Sequence, residues 1–141
     1  DISLPPDIGI IIEKPELLPY LSGLENLKLL AEIRNIISYD DIKHYMDKFG
    51  LNFNSKQIVK KYSLGMKQKL GIIQAIMEDP SLLLLDEPFN ALDAESVDIL
   101  RSILLQYKEQ GKLIILTSHH QEDIMSVCNQ VIHLQDGCIL N

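Results

Sequence analysis

No run of apolar residues in this 141-residue sequence approaches the roughly 20 that a bilayer-spanning helix needs. The opening stretch, DISLPPDIGIIIEKP, lacks the basic start of a secretory signal and carries prolines and acids instead, so it does not read as a signal peptide. Cysteine is scarce. Cys128 and Cys138 stand in apolar surroundings with no CxxC spacing, which argues against a disulfide framework or a metal site and predicts two small buried thiols in a reducing compartment. Positive charge is in deficit: 13 Lys and Arg face 20 Asp and Glu, for a net charge of -7. A general nucleic-acid or lipid-surface binder needs a basic face, so neither is expected. Repeats and low-complexity tracts are also missing. What is present, 46% hydrophobic and 23% charged residues, suits one globular domain with its own core.

The first half predicts one strand and three helices. Gly9 to Ile12 is a short apolar strand that ends before Glu13 and Pro15. Ser22-Gly23-Leu24-Glu25 fits a capping box, so a helix should run from about Leu24 to Ile37, with Leu27, Leu30, Ile33 and Ile37 on its apolar face. Asp40 or Asp41 can cap a second helix to about Phe49, stopped by Gly50. Five lysines and no acid lie between Lys56 and Lys69. A third helix should cover Met66 to Glu78, where Met66, Leu70, Ile73 and Met77 recur at helical spacing before Pro80.

The second half alternates strand and helix. Leu82 to Leu85 is a strand, because Pro80 and Pro88 leave no room for a helix. Ala94 to Gln110 is helical, with Ile99, Leu100, Ile103, Leu104 and Tyr107 on one side and Gly111 as the stop. Leu113 to Thr117 is a second apolar strand. Ser118-His119-His120-Gln121 fits another capping box, opening a helix to about Cys128. Val131 to Leu134 and Cys138 to Leu140 flank Asp136-Gly137, a hairpin signal. Strands that are apolar throughout predict a mostly parallel sheet covered on both faces.

Three places carry chemistry. In SLLLLDEP an oily strand runs into Asp86 and Glu87, and ligands of parallel sheets sit beyond such carboxyl ends. Two acids there suit Mg²⁺ with bound phosphate, one holding the ion and the other accepting a proton from an attacking water. Alone, the pair also fits a solvated strand end or a helix cap. In YSLGMKQKL, Ser63 and Gly65 precede a helix whose free N–H groups form an anion site. An ordinary serine-capped helix reads the same way. His119 follows the strand LIILTS and could donate to a phosphate oxygen, although alone it reads first as a surface histidine at a helix start. His44, His120 and His133 carry no functional reading.

Together and in this order, the three resemble the ATP-binding cassette (ABC) ATPases. YSLGMKQKL resembles the family signature, usually LSGGQ; Ser63 and Gly65 match it, while Leu64 and Met66 depart. SLLLLDEP is similar to the Walker B strand, which implies Asp86 as the Mg²⁺-linked acid and Glu87 as general base. Ala91-Leu92-Asp93 resembles the D-loop, bringing Asp93 to the nucleotide. LTSHH resembles the switch segment, with His119 as its histidine. Where the family has the Q-loop glutamine, this sequence offers Glu13, implied as a nucleotide-site and Mg²⁺ residue. That change and the SLGMKQ signature are similar to the bacterial peptide-antibiotic resistance and lantibiotic immunity branch.

The resemblance implies an α/β, P-loop NTPase-like (RecA-like) fold: a mostly parallel sheet with an inserted α-helical subdomain. Residues 1–23 would hold the Q-loop region, 24–80 the helical subdomain with the signature, and 81–141 the Walker B, D-loop and switch core. The phosphate loop G-x-x-x-x-G-K-[ST] has no match. The only Gly-Lys is Gly111-Lys112, with Gln106 at the first glycine position and Leu113 after the lysine. The chain is therefore expected to be an N-terminally truncated, C-terminal part of a longer ATPase subunit, inactive by itself. The implied cofactors are ATP and Mg²⁺. The implied partners are a second ATPase subunit, forming a dimer, and integral membrane transporter subunits at the cytoplasmic face of the cell membrane, with no nucleic acid. A soluble, non-transport ABC ATPase acting as a nucleotide-driven clamp is the alternative, which lacks a membrane partner.

Overall fold

The computed structural model describes residues 5–140. In chain order the elements are β1 (Ile8–Ile11), α1 (Gly23–Arg34), α2 (Tyr39–Lys48), a 3-10 turn (Val59–Lys61), α3 (Leu64–Ile76), β2 (Leu82–Asp86), α4 (Ala94–Glu109), β3 (Leu113–Thr117), α5 (Gln121–Val127), β4 (His133–Gln135) and β5 (Cys138–Leu140). The three longer strands form a parallel sheet in the order β1-β2-β3. In register, Ile8 pairs with Leu82, Leu82 with Leu113, and Asp86 with Thr117. All three carboxyl ends therefore open on one edge. None of the helices among the described residues is long and apolar enough to cross a membrane.

A single apolar core joins the helical layer to the sheet. Leu27 of α1, Ile42 and Met46 of α2, Leu70, Ile73 and Ile76 of α3, Leu83 of β2 and Leu100 and Leu104 of α4 are all fully buried. The close approach of α3 to β1 depends on Gly9: a Cβ there would lie 2.0 Å from the Ala75 carbonyl oxygen. Gly71 makes similar room for the Pro15 ring.

Alternation along the sheet corrects one expectation. The face bearing Gly9, Ile11, Leu83 and Leu85 is buried, whereas Ile10 (46% exposed), Leu113 (58%) and Ile115 (54%) line an open face. The strands are apolar on both sides, but among the described residues only one side is fully covered; on the other, Leu82 is buried while Ile10, Leu113 and Ile115 stand exposed.

Local corrections follow from hydrogen bonding. The Ser22–Glu25 capping box forms as expected. Its helix stops early, at Arg34, because Asn35 takes a left-handed conformation (φ 52°) and closes onto the Ala31 carbonyl. Ala31 joins Leu27 on the buried face, while Ile33 is 76% exposed. The second helix is capped by Ser38, reciprocally with Asp41, rather than by either aspartate. Ser118-His119-His120-Gln121 forms no capping box; α5 starts at Gln121 with no side-chain cap. Ser118 Oγ instead accepts the His120 N–H at 3.1 Å, a local turn that competes with capping. The hairpin forms with Asp136 and Gly137 both at positive φ, as a two-residue turn of this type requires. Cys138 is exposed on that hairpin, against expectation, and Cys128 is half-buried. Burial pushes the Cys128 thiol pKa up.

Candidate functional site

Asp86 closes β2 and pairs with Thr117, the last residue of β3. The Thr117 hydroxyl donates to Asp86 Oδ1 at 2.5 Å. The other oxygen, Oδ2, accepts the Glu13 backbone N–H at 3.3 Å. One carboxylate thus ties together the ends of all three parallel strands. The contact with Glu13 is made by its backbone, at φ 56°. A β-region residue would carry the chain straight on from β1; this left-handed residue turns it.

Glu87 leaves the strand in the same left-handed region, φ 47°. Its backbone N–H reaches both the carbonyl oxygen (3.2 Å) and the hydroxyl (3.1 Å) of Thr117. The turn carries its side chain to His119, whose Nδ1 lies 2.8 Å from Glu87 Oε1. The imidazole donates to the carboxylate there, which leaves Nε2 for another partner. The His119 side chain is 64% exposed, so the pair faces open solvent rather than the core. The His120 ring packs at 4.1 Å from that of His119, tilted by 40°. Beside them lies a cavity of about 440 Å³ whose lining includes Phe89, Ala91, Val97, His119 and Asp123.

Ser63 caps α3, its hydroxyl accepting the Met66 N–H at 3.1 Å. Gly65 follows on the first turn, so close to the Ala91 carbonyl that a Cβ would lie 2.7 Å from its oxygen. Asp93 caps α4 through the Ser96 N–H and also pairs with Lys69 at 2.6 Å. The Lys69 contact, first, and the Ser96 backbone hold the Asp93 carboxyl well below the usual carboxylate range.

The structure therefore brings Asp86, Glu87, His119 and the Glu13 backbone to one edge of the sheet. Ser63, Gly65 and Asp93 meet at the start of α3, beside the loop that follows Glu87. Three contributors were not singled out from the sequence. Thr117 joins Asp86 to Glu87; its only signal was a hydroxyl at the end of an apolar run. Gln68 and Lys69 connect α3 to the loop after Glu87, and nothing in their spacing sets them apart from an ordinary helix face.

The description "ABC transporter" matches residues 2–90 as a family. The chain is 50% identical over 138 residues to an uncharacterized ABC transporter ATP-binding protein, YybJ, of Bacillus subtilis (strain 168), covering 97% of the chain and 63% of that relative. It is 36% identical to the lantibiotic transport ATP-binding protein SrtF of Streptococcus pyogenes, over 94% of the chain and 58% of the relative. Among solved structures, an ATP-binding subunit of an ABC transporter superposes with a TM-score of 0.82 at 27% identity, over 93% of this chain and 56% of that one. The chain thus spans less than two thirds of the length of these relatives.

Proposed function

Because the chain belongs to the ABC transporter family, its strand-end carboxylates have a chemical setting, and we propose that the whole protein hydrolyses ATP as the ATP-binding subunit of a bacterial transporter. One observation carries this reading: Asp86, Glu87 and His119 converge at the carboxyl ends of neighbouring parallel strands. Glu87 accepts the proton of an attacking water, and His119 holds its carboxylate at 2.8 Å in a fixed orientation. Asp86 is the Mg²⁺-linked acid. Its donor chemistry fits, since Mg²⁺ is commonly bound by one or two carboxylates together with water and substrate phosphates. Among the described residues no three His, Cys, Asp or Glu side chains gather as a metal cluster. When bound, the ion would neutralise charge developing on the phosphates.

Ser63 and Gly65, at the N-terminus of α3, are assigned to the ATP of a second subunit, so that two copies enclose the nucleotide, and Asp93 belongs to the same interface. Glu13 ends β1 and opens the loop leading to α1. In this reading it senses the phosphate end, with its carboxylate as a further Mg²⁺ ligand. Residues 1–23 then form the Q-loop region, 24–80 the helical subdomain that meets the membrane subunits, and 81–141 the hydrolytic core. The protein works at the cytoplasmic face of the cell membrane. Similarity to the lantibiotic transport protein supports assignment to the peptide-antibiotic resistance and immunity branch.

The test is to express the full-length gene product with its genomic neighbours, solubilise the membranes and purify it by a tag. Mg²⁺-dependent ATP turnover together with a co-purifying integral membrane protein is expected. Turnover without a membrane partner would favour a soluble clamp, and no turnover would remove the ATPase reading.

A further inference from the structure

The loop that leads into α1 and the segment around Ile58 run side by side. Ser22 bridges antiparallel to Ile58. The Val59 N–H donates to the Leu21 carbonyl and the Lys60 N–H to the Pro19 carbonyl, both at 2.8 Å. Asn26 fastens the same loop through the Leu18 N–H and carbonyl. The backbone is pinned, yet two large side chains on it stand in solvent: Tyr20 is 70% exposed and Leu18 53%. The Lys60 ammonium lies 5.4 Å from the centre of the Tyr20 ring, inside the roughly 6 Å reach of a cation–π contact. Lys56, Lys60 and Lys61 are all exposed. Glu25, at the start of α1, turns its carboxylate back onto the Ser22 N–H at 2.7 Å.

This is a local basic face on a chain of net charge -7. The stretch from Lys56 to Lys69 holds five lysines and no acid. Its groups are amphipathic. A tyrosine has an apolar body and a polar tip, and a lysine lays its stem along apolar surface while its ammonium reaches outward. Such side chains suit the headgroup level of a bilayer, where an aromatic ring sits at the boundary and each nearby lysine adds attraction to anionic lipid. The acidic remainder of the chain is repelled by the same surface, which fixes the side that faces it.

We propose that Leu18, Tyr20, Lys56, Lys60 and Lys61 form a contact face for the anionic headgroups of the bilayer, in addition to the surface assigned above to membrane subunits. The net charge argues against lipid binding by the chain as a whole; the distribution of charge permits it on this one face. The contact draws on the reading above only for its place at the cytoplasmic side of the membrane. Vesicle binding is measured without ATP, so lipid contact and ATP hydrolysis fail separately.

The experiment is sedimentation of the full-length gene product with vesicles of phosphatidylcholine, alone or mixed with phosphatidylglycerol. Thermal unfolding of each variant serves as the folding control. Wild type is expected to sediment with the mixed vesicles, less so as salt is raised, and to stay in solution with phosphatidylcholine alone. Lys60→Glu with Lys61→Glu should weaken partitioning by about tenfold or more, given the usual contribution of a lysine near an anionic surface. Tyr20→Ser should weaken it as well, while Tyr20→Trp keeps it, since tryptophan serves the same boundary position. Lys43→Glu with Lys48→Glu makes the same change of net charge on α2 and should leave partitioning near the wild-type level. An equal loss in that second pair would make net charge the cause and overturn the proposal, as would a wild type that ignores the mixed vesicles. Loss of a co-purifying membrane protein in Lys60→Glu with Lys61→Glu, with vesicle partitioning unchanged, would assign the face to a protein partner and overturn it too.

Discussion

At the scale of single residues, the two acids of SLLLLDEP were legible because ligands of parallel sheets sit beyond strand carboxyl ends and because the motifs around them follow in a family's order, not from the pair alone. The resemblance assigned Asp86 to Mg²⁺ and Glu87 to proton transfer; what no local pattern announces is the left-handed turn at Glu87, which aims one acid at His119 and leaves the other across the strand ends. Glu13 gives a sharp expectation. Its link to Asp86 is a backbone N–H, so Glu13→Ala keeps it. ATP turnover should therefore survive in Glu13→Ala, lowered by the loss of one carboxylate offered to Mg²⁺, while coupling to transport suffers more. Parallel assays of turnover and substrate export decide, and an equal loss in both would refute the coupling role. Asp93 sets a pH dependence. Its folded pKa lies below the ordinary 3.8, so its contribution to stability is complete above that value and is lost as pH falls through the folded one. Melting temperatures of wild type and Asp93→Asn from about pH 5 downward should converge toward the acid end, because protonation removes from the wild type what the amide never had. Parallel curves would show that Asp93 is not the group titrating.

At the scale of elements, helix starts were the most readable feature where the cap and its partner lie three residues apart. Ser22 with Glu25 succeeded for this reason. Ser38 with Asp41 obeys the same rule, yet two adjacent aspartates drew the expectation away from the serine. Ser118 failed because its hydroxyl is engaged two residues on, at the His120 N–H. That local turn delays the helix. Close packing between elements left a fainter trace. Gly9 reads as a mere interruption of an apolar run, but it is the contact point of β1 with the Ala75 carbonyl. Gly9→Ala should destabilise the full-length protein by about 1–3 kcal/mol, the usual scale of overpacking. Chemical denaturation measures this, and a loss well under that range would mean that α3 can shift freely away from the sheet. The loop before α1 has its own anchor in Asn26, which is buried and bonds to Leu18 N–H, Leu18 C=O and Ser22 C=O. Asn26→Ala should cost about 1–3 kcal/mol, the penalty for stranding buried partners, and should raise amide exchange at Leu18 specifically. Unchanged exchange there would contradict the anchoring.

At the scale of the whole molecule, the parallel sheet was legible from apolar strands alternating with helices, whereas its order β1-β2-β3 came from the structure. The expectation of two covered faces came from the same composition and holds for one face only. Ile10, Leu113 and Ile115 have the sequence of buried residues and the exposure of surface ones, and sequence alone cannot tell which layer supplies the cover. The chain likewise lacks the phosphate-binding glycine loop that positions the β- and γ-phosphates, and positioning is most of this chemistry. The 141-residue chain on its own should therefore neither hydrolyse ATP nor bind it at micromolar concentration; calorimetry with Mg²⁺ present checks this. The central claim is that Glu87 performs the proton transfer for an ATP enclosed between two copies. It is tested most directly by comparing Glu87→Gln with wild type in the full-length gene product, measuring turnover and light scattering with Mg²⁺ and ATP. The amide keeps the shape but cannot take a proton, so turnover should fall by roughly 10²-fold or more, nucleotide binding should persist and an ATP-bound dimer should accumulate. Wild-type turnover by Glu87→Gln would contradict the account.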